Sequence, residues 1–147
     1  MPHAISAEGI VRRSPGTIGA VTSSLGVFAA IVVGTAFLLA GGAKLAAGRA
    51  WPEQARELGA PSSVVAIVPW IEIVVGGLLA AQVARPVLGT IALAMLLAFS
   101  ALLLLRLSQG KRPPCACFGS WNAQPLGWRH LARNAALITL AIVALAA

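Results

Sequence analysis

Residues 87–107 read VLGTIALAMLLAFSALLLLRL, and this run decides the fold. It contains one charged residue, Arg106, next to its end. A helix needs about 20 mostly apolar residues to cross the roughly 30 Å hydrocarbon layer of a membrane. Because no water reaches that layer, backbone polar groups must be satisfied within the segment, so the run is predicted to be a transmembrane helix.

Three further runs have the same character and lie at residues 25–47, 64–84 and 131–147. The chain has 147 residues, of which 59% are hydrophobic and 10% charged, and its mean hydropathy is +0.88. A soluble domain is excluded, because globular proteins carry about 25% charged residues and a chain this short cannot hide such an apolar excess in its own core. We predict an all-α fold, a four-helix transmembrane bundle over residues 25–147, with the lipid bilayer as its partner.

The connections between the spans predict how the helices are arranged. Only Arg85 and Pro86 separate the second and third spans, which therefore form an antiparallel hairpin. Residues 48–63 and 108–130 join the other pairs of spans, and both connections lie on one side of the membrane, here called the loop face. Residues 1–24 are polar and are predicted to be a disordered N-terminal tail.

The basic balance of the chain fits a membrane protein. Eleven Lys and Arg against four Asp and Glu give a formal charge of +7. The basic residues are scattered at the ends of apolar runs and no nucleic-acid motif accompanies them, so no nucleic acid is predicted as a partner. Trp51, Trp121 and Trp128 are interpreted as interfacial anchors. Close helix approach is one interpretation of a set of span glycines, and ordinary membrane-helix composition is the preferred one; the set is Gly34, Gly41, Gly42, Gly76 and Gly77.

The longest connection holds both cysteines of the chain, in the stretch KRPPCACFG at residues 111–119. The spacing of Cys115 and Cys117 allows the Cα separation of about 4.4–6.8 Å that a disulfide requires. The ring they close is small and strained, so the bond would be readily reduced and suits exchange better than structural stapling.

The surroundings of the two cysteines favour a reactive thiol. Lys111 and Arg112 lie within a few residues, and their positive charge favours the thiolate, as does that of His130. Incidental cysteines and metal binding are the alternatives. The two thiols and His130 fall short of the four ligands of a closed zinc site, although Cu(I) needs fewer, and no metal is predicted.

Glu72 lies near the middle of the second span, where a lone charge is expensive. Its candidate partners are Lys44, near the loop-face end of the first span, and Arg133, near the start of the fourth. Asn134 and Ser100 can add hydrogen bonds in the same interior. A structural ion pair, a protonated carboxylic acid and a proton or substrate site beneath the cysteines all stay open.

Four motifs occur in order along the chain. They are Gly42-Ala43-Lys44-Leu45 closing the first span, Glu72 in the second, Cys115-Ala116-Cys117-Phe118-Gly119 after the third, and Arg133-Asn134 opening the fourth. Together they resemble the MauE/DoxX group of small redox-associated membrane proteins, over roughly residues 34–147. In methylamine utilisation the family member is associated with the maturation of a disulfide-rich dehydrogenase, beside a thioredoxin-like partner.

The resemblance implies a DoxX-like four-helix bundle that takes part in thiol–disulfide exchange or in maturation of a partner protein. Cys115 and Cys117 would be the redox pair, and Phe118 and Gly119 belong to the same motif. A self-contained electron relay across a membrane uses two cysteine pairs, and this chain has one. The expected partner is therefore a thioredoxin-like or other redox protein. No cofactor is assigned, and a quinone stays open.

The charges and the resemblance disagree about which side of the cell membrane the cysteine loop faces. Most Lys and Arg residues lie on the loop face, which the positive-inside rule places in the cytoplasm. The family's link to exported disulfide proteins, and the oxidising environment that thiol oxidation requires, favour the extracytoplasmic face. We predict a multi-pass membrane protein with the loop face outside.

Two other functions stay open. One is a small transporter or permease subunit, in which Glu72 with Lys44 or Arg133 lines a polar path. The other is a structural subunit of a larger membrane complex. Transport would depend on Glu72 and survive loss of both cysteines, whereas redox function would be abolished by substituting them.

Overall fold

A computed structural model describes residues 17–112, 114–115 and 124–147. This part of the chain is mainly helical, with short turns between the helices and one pairing of two-residue strands. Its elements are α1 (Thr17–Ala46), α2 (Ala50–Glu57), α3 (Ser62–Val65), α4 (Val68–Ala80), α5 (Arg85–Ser108), β1 (Pro114–Cys115), β2 (Gln124–Pro125) and α6 (Trp128–Ala146). The prediction of a helical protein is confirmed.

Three of the described helices are long and apolar enough to cross a membrane: α1 over Gly19–Ala46, α5 and α6. They correspond to the predicted first, third and fourth spans, although α1 begins earlier than predicted, at Thr17. The predicted second span, residues 64–84, is not one helix. It is divided between α3 and the shorter apolar helix α4.

Pro69 explains why the predicted second span is interrupted. Proline has no backbone N–H, so it cannot donate to the carbonyl of Val65 four residues earlier. That carbonyl instead accepts a hydrogen bond from the indole Nε1 of Trp51 at 2.9 Å. A proline is tolerated in the first turn of a helix, which is where Pro69 lies in α4. Beyond α4 the chain turns at Gln82 and Ala84, which have positive φ.

The apolar helices contact one another in a closed cycle. Helix α1 packs on α4 and α6, and α5 packs on α6 and α4. Helices α1 and α4 bring their backbones close together, because glycines line the contact between them. A Cβ added to Gly34 would lie 2.6 Å from the Gly76 carbonyl oxygen, and one added to Gly41 would lie 2.7 Å from the Pro69 carbonyl oxygen.

We call Gly34, Gly41 and Gly76 the glycine seam. Small residues let membrane helices approach closely, since lipid supplies no hydrophobic force that would press two helices together. For these three glycines the interpretation as ordinary composition is therefore wrong. It holds better for Gly42, where an added Cβ would meet nothing within 4 Å.

Apolar side chains fill the interior and also cover the outside. Alanines, branched aliphatic residues and one phenylalanine of α1, α4, α5 and α6 form the main core: Ala29, Ala30, Val33, Phe37, Val75, Leu79, Leu88, Ala92, Leu96, Leu137, Ala141 and Ala144. On the outside, Phe28 is 64% and Trp70 60% exposed. Exposed apolar side chains on apolar helices packed beside membrane-spanning ones are expected to contact lipid.

A second buried cluster joins the two loop-face connections. It contains Leu58 after α2, Leu103 on α5 and Leu126 before α6. The predicted placement of both connections at one end of the protein is therefore confirmed. At the same end β1 pairs with β2 in antiparallel register, with Cys115 opposite Gln124.

Candidate functional site

A buried ion pair joins α1 and α4. The Lys44 ammonium donates to both carboxylate oxygens of Glu72, each at 2.8 Å, and its Nζ lies 3.5 Å from the Ala40 carbonyl oxygen. The Lys44 side chain is 5% exposed and that of Glu72 13%. Of the two partners predicted for Glu72, the structure therefore places Lys44 against it.

The glycine seam explains how this pair forms. Residues three, four or seven positions apart lie on one face of a helix. Gly34, Gly41 and Lys44 therefore share a face of α1, and Glu72 and Gly76 share a face of α4. Because the seam brings the two helices together, a lysine side chain can reach the carboxylate without leaving the interior.

Trp51 completes the surroundings of Lys44. The ammonium lies 5.1 Å from the centre of the indole ring, within the range of a cation–π interaction. The indole N–H donates to the Val65 carbonyl oxygen. Trp51 therefore has contacts within the protein besides its predicted role as an interfacial anchor, which stays a prediction, and Trp128 is 71% exposed.

Arg133 and Asn134 reach the same region from α6. The Asn134 side chain is buried and its Nδ2 donates to the Ser100 hydroxyl at 3.2 Å, as the shared interior position predicted. Arg133 is half-buried. Arg133 and Asn134 line a cavity of about 270 Å³ together with Lys44 and Glu72. The rest of the cavity wall is mainly apolar.

The structure gives a partial account of the predicted thiol site. The backbone of Cys115 lies in β1, and Cys117, Phe118 and Gly119 lie outside the described residues. Lys111 and Arg112 are exposed near the start of the cysteine segment.

His130 lies in the first turn of α6, just after the connection that carries the cysteines. Its Nδ1 accepts a hydrogen bond from the Gly127 backbone N–H at 3.4 Å. That contact satisfies one backbone donor at the start of the helix. Its predicted support of a thiolate stays a prediction.

Two contributors to the site were not predicted in these roles. Trp51 forms part of the wall around Lys44, and Arg106 holds the end of α2 by donating from Nε to the Leu58 carbonyl oxygen at 2.8 Å. One signal for Trp51 is present in the sequence: a proline leaves the carbonyl four residues earlier without its helical donor, and an indole N–H is a suitable replacement.

A family model described as methylamine utilisation protein MauE matches residues 22–147. The matched region covers the six described helices except the first turn of α1. No curated protein and no solved structure matches the chain.

Proposed function

The chain belongs to the MauE family. We propose that it is a multi-pass membrane protein whose cysteine pair, Cys115 and Cys117, exchanges a disulfide with a thioredoxin-like partner. The observation that carries the proposal is the pairing of β1 with β2, which ties the backbone of Cys115 to Gln124 at the loop face. The adjoining cluster of Leu58, Leu103 and Leu126 fixes the base of this segment to the helices.

The proposed architecture is a DoxX-like bundle in which α1, α4, α5 and α6 all cross the membrane. The closed cycle of contacts among these helices supports it. Helix α4 alone is about 20 Å long at 1.5 Å per residue, which is shorter than the hydrocarbon layer. The preceding α3 and its turn add further apolar residues, so the segment from Ser62 to Ala80 together would complete the crossing.

The proposed chemistry is a two-step exchange. A thiolate of the partner attacks one sulfur of the Cys115–Cys117 disulfide, forms a mixed disulfide and releases the other sulfur as a thiolate. The partner's second thiolate then attacks the mixed disulfide, which closes the partner's disulfide and releases the remaining cysteine. Two electrons and two protons pass from the partner to this chain, and the same steps in reverse return them.

A cysteine-trapping experiment tests the exchange. In Cys115→Ser or Cys117→Ser the remaining thiolate can attack a partner disulfide, but this chain has no second thiol to complete the exchange, so the mixed disulfide is removed only when the partner's own released thiolate reverses the first step. We expect at least one of the two variants to accumulate a mixed disulfide that is sensitive to dithiothreitol, with a thioredoxin-like protein identified in it by mass spectrometry. The double serine variant is the control, because the chain then has no cysteine. Absence of any mixed disulfide in both single variants would refute the proposal.

The proposed orientation places the loop face outside the cytoplasm, where thiols are oxidised. In intact cells treated with a permeant reductant, a membrane-impermeant maleimide is then expected to label the two cysteines. The triple variant Cys115→Ser, Cys117→Ser, Lys111→Cys supplies a matched position on the same face, because Lys111 is exposed. Labelling of both proteins only after the cells are permeabilised would place the loop face in the cytoplasm, as the positive-inside rule predicts.

One observation favours a transporter or permease subunit as the second candidate function, because charged side chains line the cavity. Glu72, however, has both carboxylate oxygens occupied by Lys44. A carboxylate held in this way is better suited to a structural role than to a transport role, because a transport site must bind and release a substrate. The exchange of disulfides is therefore the function that we favour.

A further inference from the structure

The cavity beside the Lys44–Glu72 pair is too large to be a packing defect. Protein interiors have few voids larger than a water molecule, whereas this cavity of about 270 Å³ could hold several. All six described helices contribute to its wall, which is mainly apolar and includes Phe37 on α1 and Phe99 on α5. An apolar cavity of about 150 Å³ in another protein stays dry and binds benzene. The size and the lining of this cavity therefore suit a small molecule.

The polar side chains of the wall already have partners within the protein. Lys44 and Glu72 form an ion pair with each other. The Asn134 amide donates to the Ser100 hydroxyl, and Arg133 also has an interaction partner. A charged ligand would have to leave water for a low-dielectric interior, where these existing partners compete for each group that could neutralise its charge. The wall therefore favours a neutral ligand.

The exposed residues of the wall show where the cavity opens. They are Pro61 before α3, Val64 in α3 and Ala98 on α5, and we call the gap between them the mouth. On this side of the bundle α5 contacts α4 less extensively than it contacts α6 on the other. Leu97, next to Ala98, is 51% exposed on a helix that is long and apolar enough to cross a membrane. The mouth is therefore expected to face the bilayer.

The volume of the cavity limits the size of the neutral molecule. It exceeds that of the cavity that binds benzene and lies below the range of about 300–1,000 Å³ typical of sites for drug-sized ligands. A molecule of about one or two rings fits between these limits.

The bilayer offers two sources of apolar material, a dissolved compact molecule and the acyl chain of a lipid. An acyl chain is attached to a headgroup at the membrane surface and runs along the bilayer normal. It would have to bend to enter a mouth in the side of the bundle, and the lost conformational freedom costs free energy. A compact molecule has no such attachment, so it is the occupant that we favour.

We propose that this cavity binds one compact, neutral and apolar molecule of about one or two rings, which enters from the bilayer between α3 and α5. Lipid is as apolar as the wall, so the hydrophobic effect does not drive this transfer. Binding is driven by the dispersion contacts that atoms beside a void otherwise lack. The proposal does not depend on thiol exchange, and its test leaves both cysteines in place.

The test uses purified protein in nanodiscs of a zwitterionic lipid, with a phenyl(trifluoromethyl)diazirine as a neutral photoreactive probe of one ring. Light-induced labelling of Phe37, which is buried in the wall, is expected to saturate and to be displaced by naphthalene. Naphthoate and naphthylmethylammonium have the same rings and opposite charges, and neither is expected to displace the probe at an equal concentration in the lipid. Labelling that never saturates, or equal displacement by naphthalene and either charged compound, would overturn the proposal.

A photoreactive lipid distinguishes the compact molecule from an acyl chain. The nanodiscs are prepared with a phosphatidylcholine that carries a diazirine in one acyl chain. This lipid is expected to label outward residues such as Leu97 and to leave Phe37 unlabelled, which would support a compact occupant. Labelling of Phe37 by the lipid, with no effect of added naphthalene, would assign the cavity to an acyl chain and overturn the proposal.

A pair of substitutions on α5 tests the position of the mouth. Ala98 lines the cavity, so Ala98→Leu is expected to occupy part of the space that the probe needs and to weaken its apparent affinity about tenfold. Ala94 lies one turn earlier and does not line the cavity, so Ala94→Leu is the matched control and should bind the probe as the natural protein does. Both alanines are exposed, so neither variant overpacks the core. Equal affinity of the two variants would refute the assigned mouth.

Discussion

Lys44→Met is expected to lower the free energy of unfolding by about 3–5 kcal/mol, because it leaves the Glu72 carboxylate buried without its partner. The ammonium of Lys44 donates to both carboxylate oxygens of Glu72, each at 2.8 Å. The two side chains are 5% and 13% exposed, so the carboxylate depends mainly on this ammonium for its stabilisation. Equilibrium unfolding by SDS in mixed micelles would measure the loss.

The double variant Lys44→Met, Glu72→Leu shows whether the loss comes from the orphaned charge. A buried ion pair replaced by apolar residues of similar volume is often neutral or stabilising, so the double variant is expected to recover most of the stability. Lys111→Met is the matched control, because Lys111 is exposed and its replacement should change stability by no more than about 0.5 kcal/mol. A double variant as unstable as Lys44→Met would contradict this account and would assign the loss to altered packing.

The membrane class and most of the helices could be predicted from the sequence, because length and hydropathy fix them. A run such as residues 87–107 has one stable structure in lipid, whatever surrounds it. The second span was predicted less well. Its composition is equally apolar, but Pro69 removes one helical hydrogen bond, and the positive φ of Gln82 and Ala84 ends α4 early.

The sequence indicated that Glu72 would pair with a cation, but it did not indicate which cation. An intramembrane Glu72 needs a cation, and Lys44 and Arg133 lie at similar depths in the sequence-based bundle. Only the packing of α1 against α4 selects Lys44. That packing depends on Gly34, Gly41 and Gly76, and glycine is so common in membrane helices that its presence alone does not identify a contact.

The cavity could not be predicted, because it depends on side chains from all six described helices. Trp51 and Leu58 reach it from the connection between the first two spans, which the sequence indicates only as a polar loop. Arg106 holds that connection in place through the Leu58 carbonyl. Contacts between distant parts of the chain leave no periodic pattern, whereas a helix does.

Gly34→Ala is expected to lower the free energy of unfolding by about 1–3 kcal/mol, the usual cost of adding a methyl group to a packed interior. The new Cβ would lie 2.6 Å from the Gly76 carbonyl oxygen and 2.7 Å from the Ala80 backbone nitrogen. Both atoms belong to the α4 backbone, so they cannot turn aside as a side chain would. The two helices must separate instead, which would also stretch the contact between Lys44 and Glu72.

Gly42→Ala is the matched control on the same helix, because its Cβ would meet nothing within 4 Å. Alanine is the better helix former, by about 1 kcal/mol in soluble helices, so this variant is expected to be neutral or stabilising. The pair Gly34→Ala and Gly76→Ala gives a further check. Once the first substitution has moved α1 and α4 apart, the second meets less resistance, so the double variant should lose less than the sum of the two single losses. Strictly additive losses, or equal stability of Gly34→Ala and Gly42→Ala by SDS unfolding, would show that the glycine seam does not set the distance between the helices.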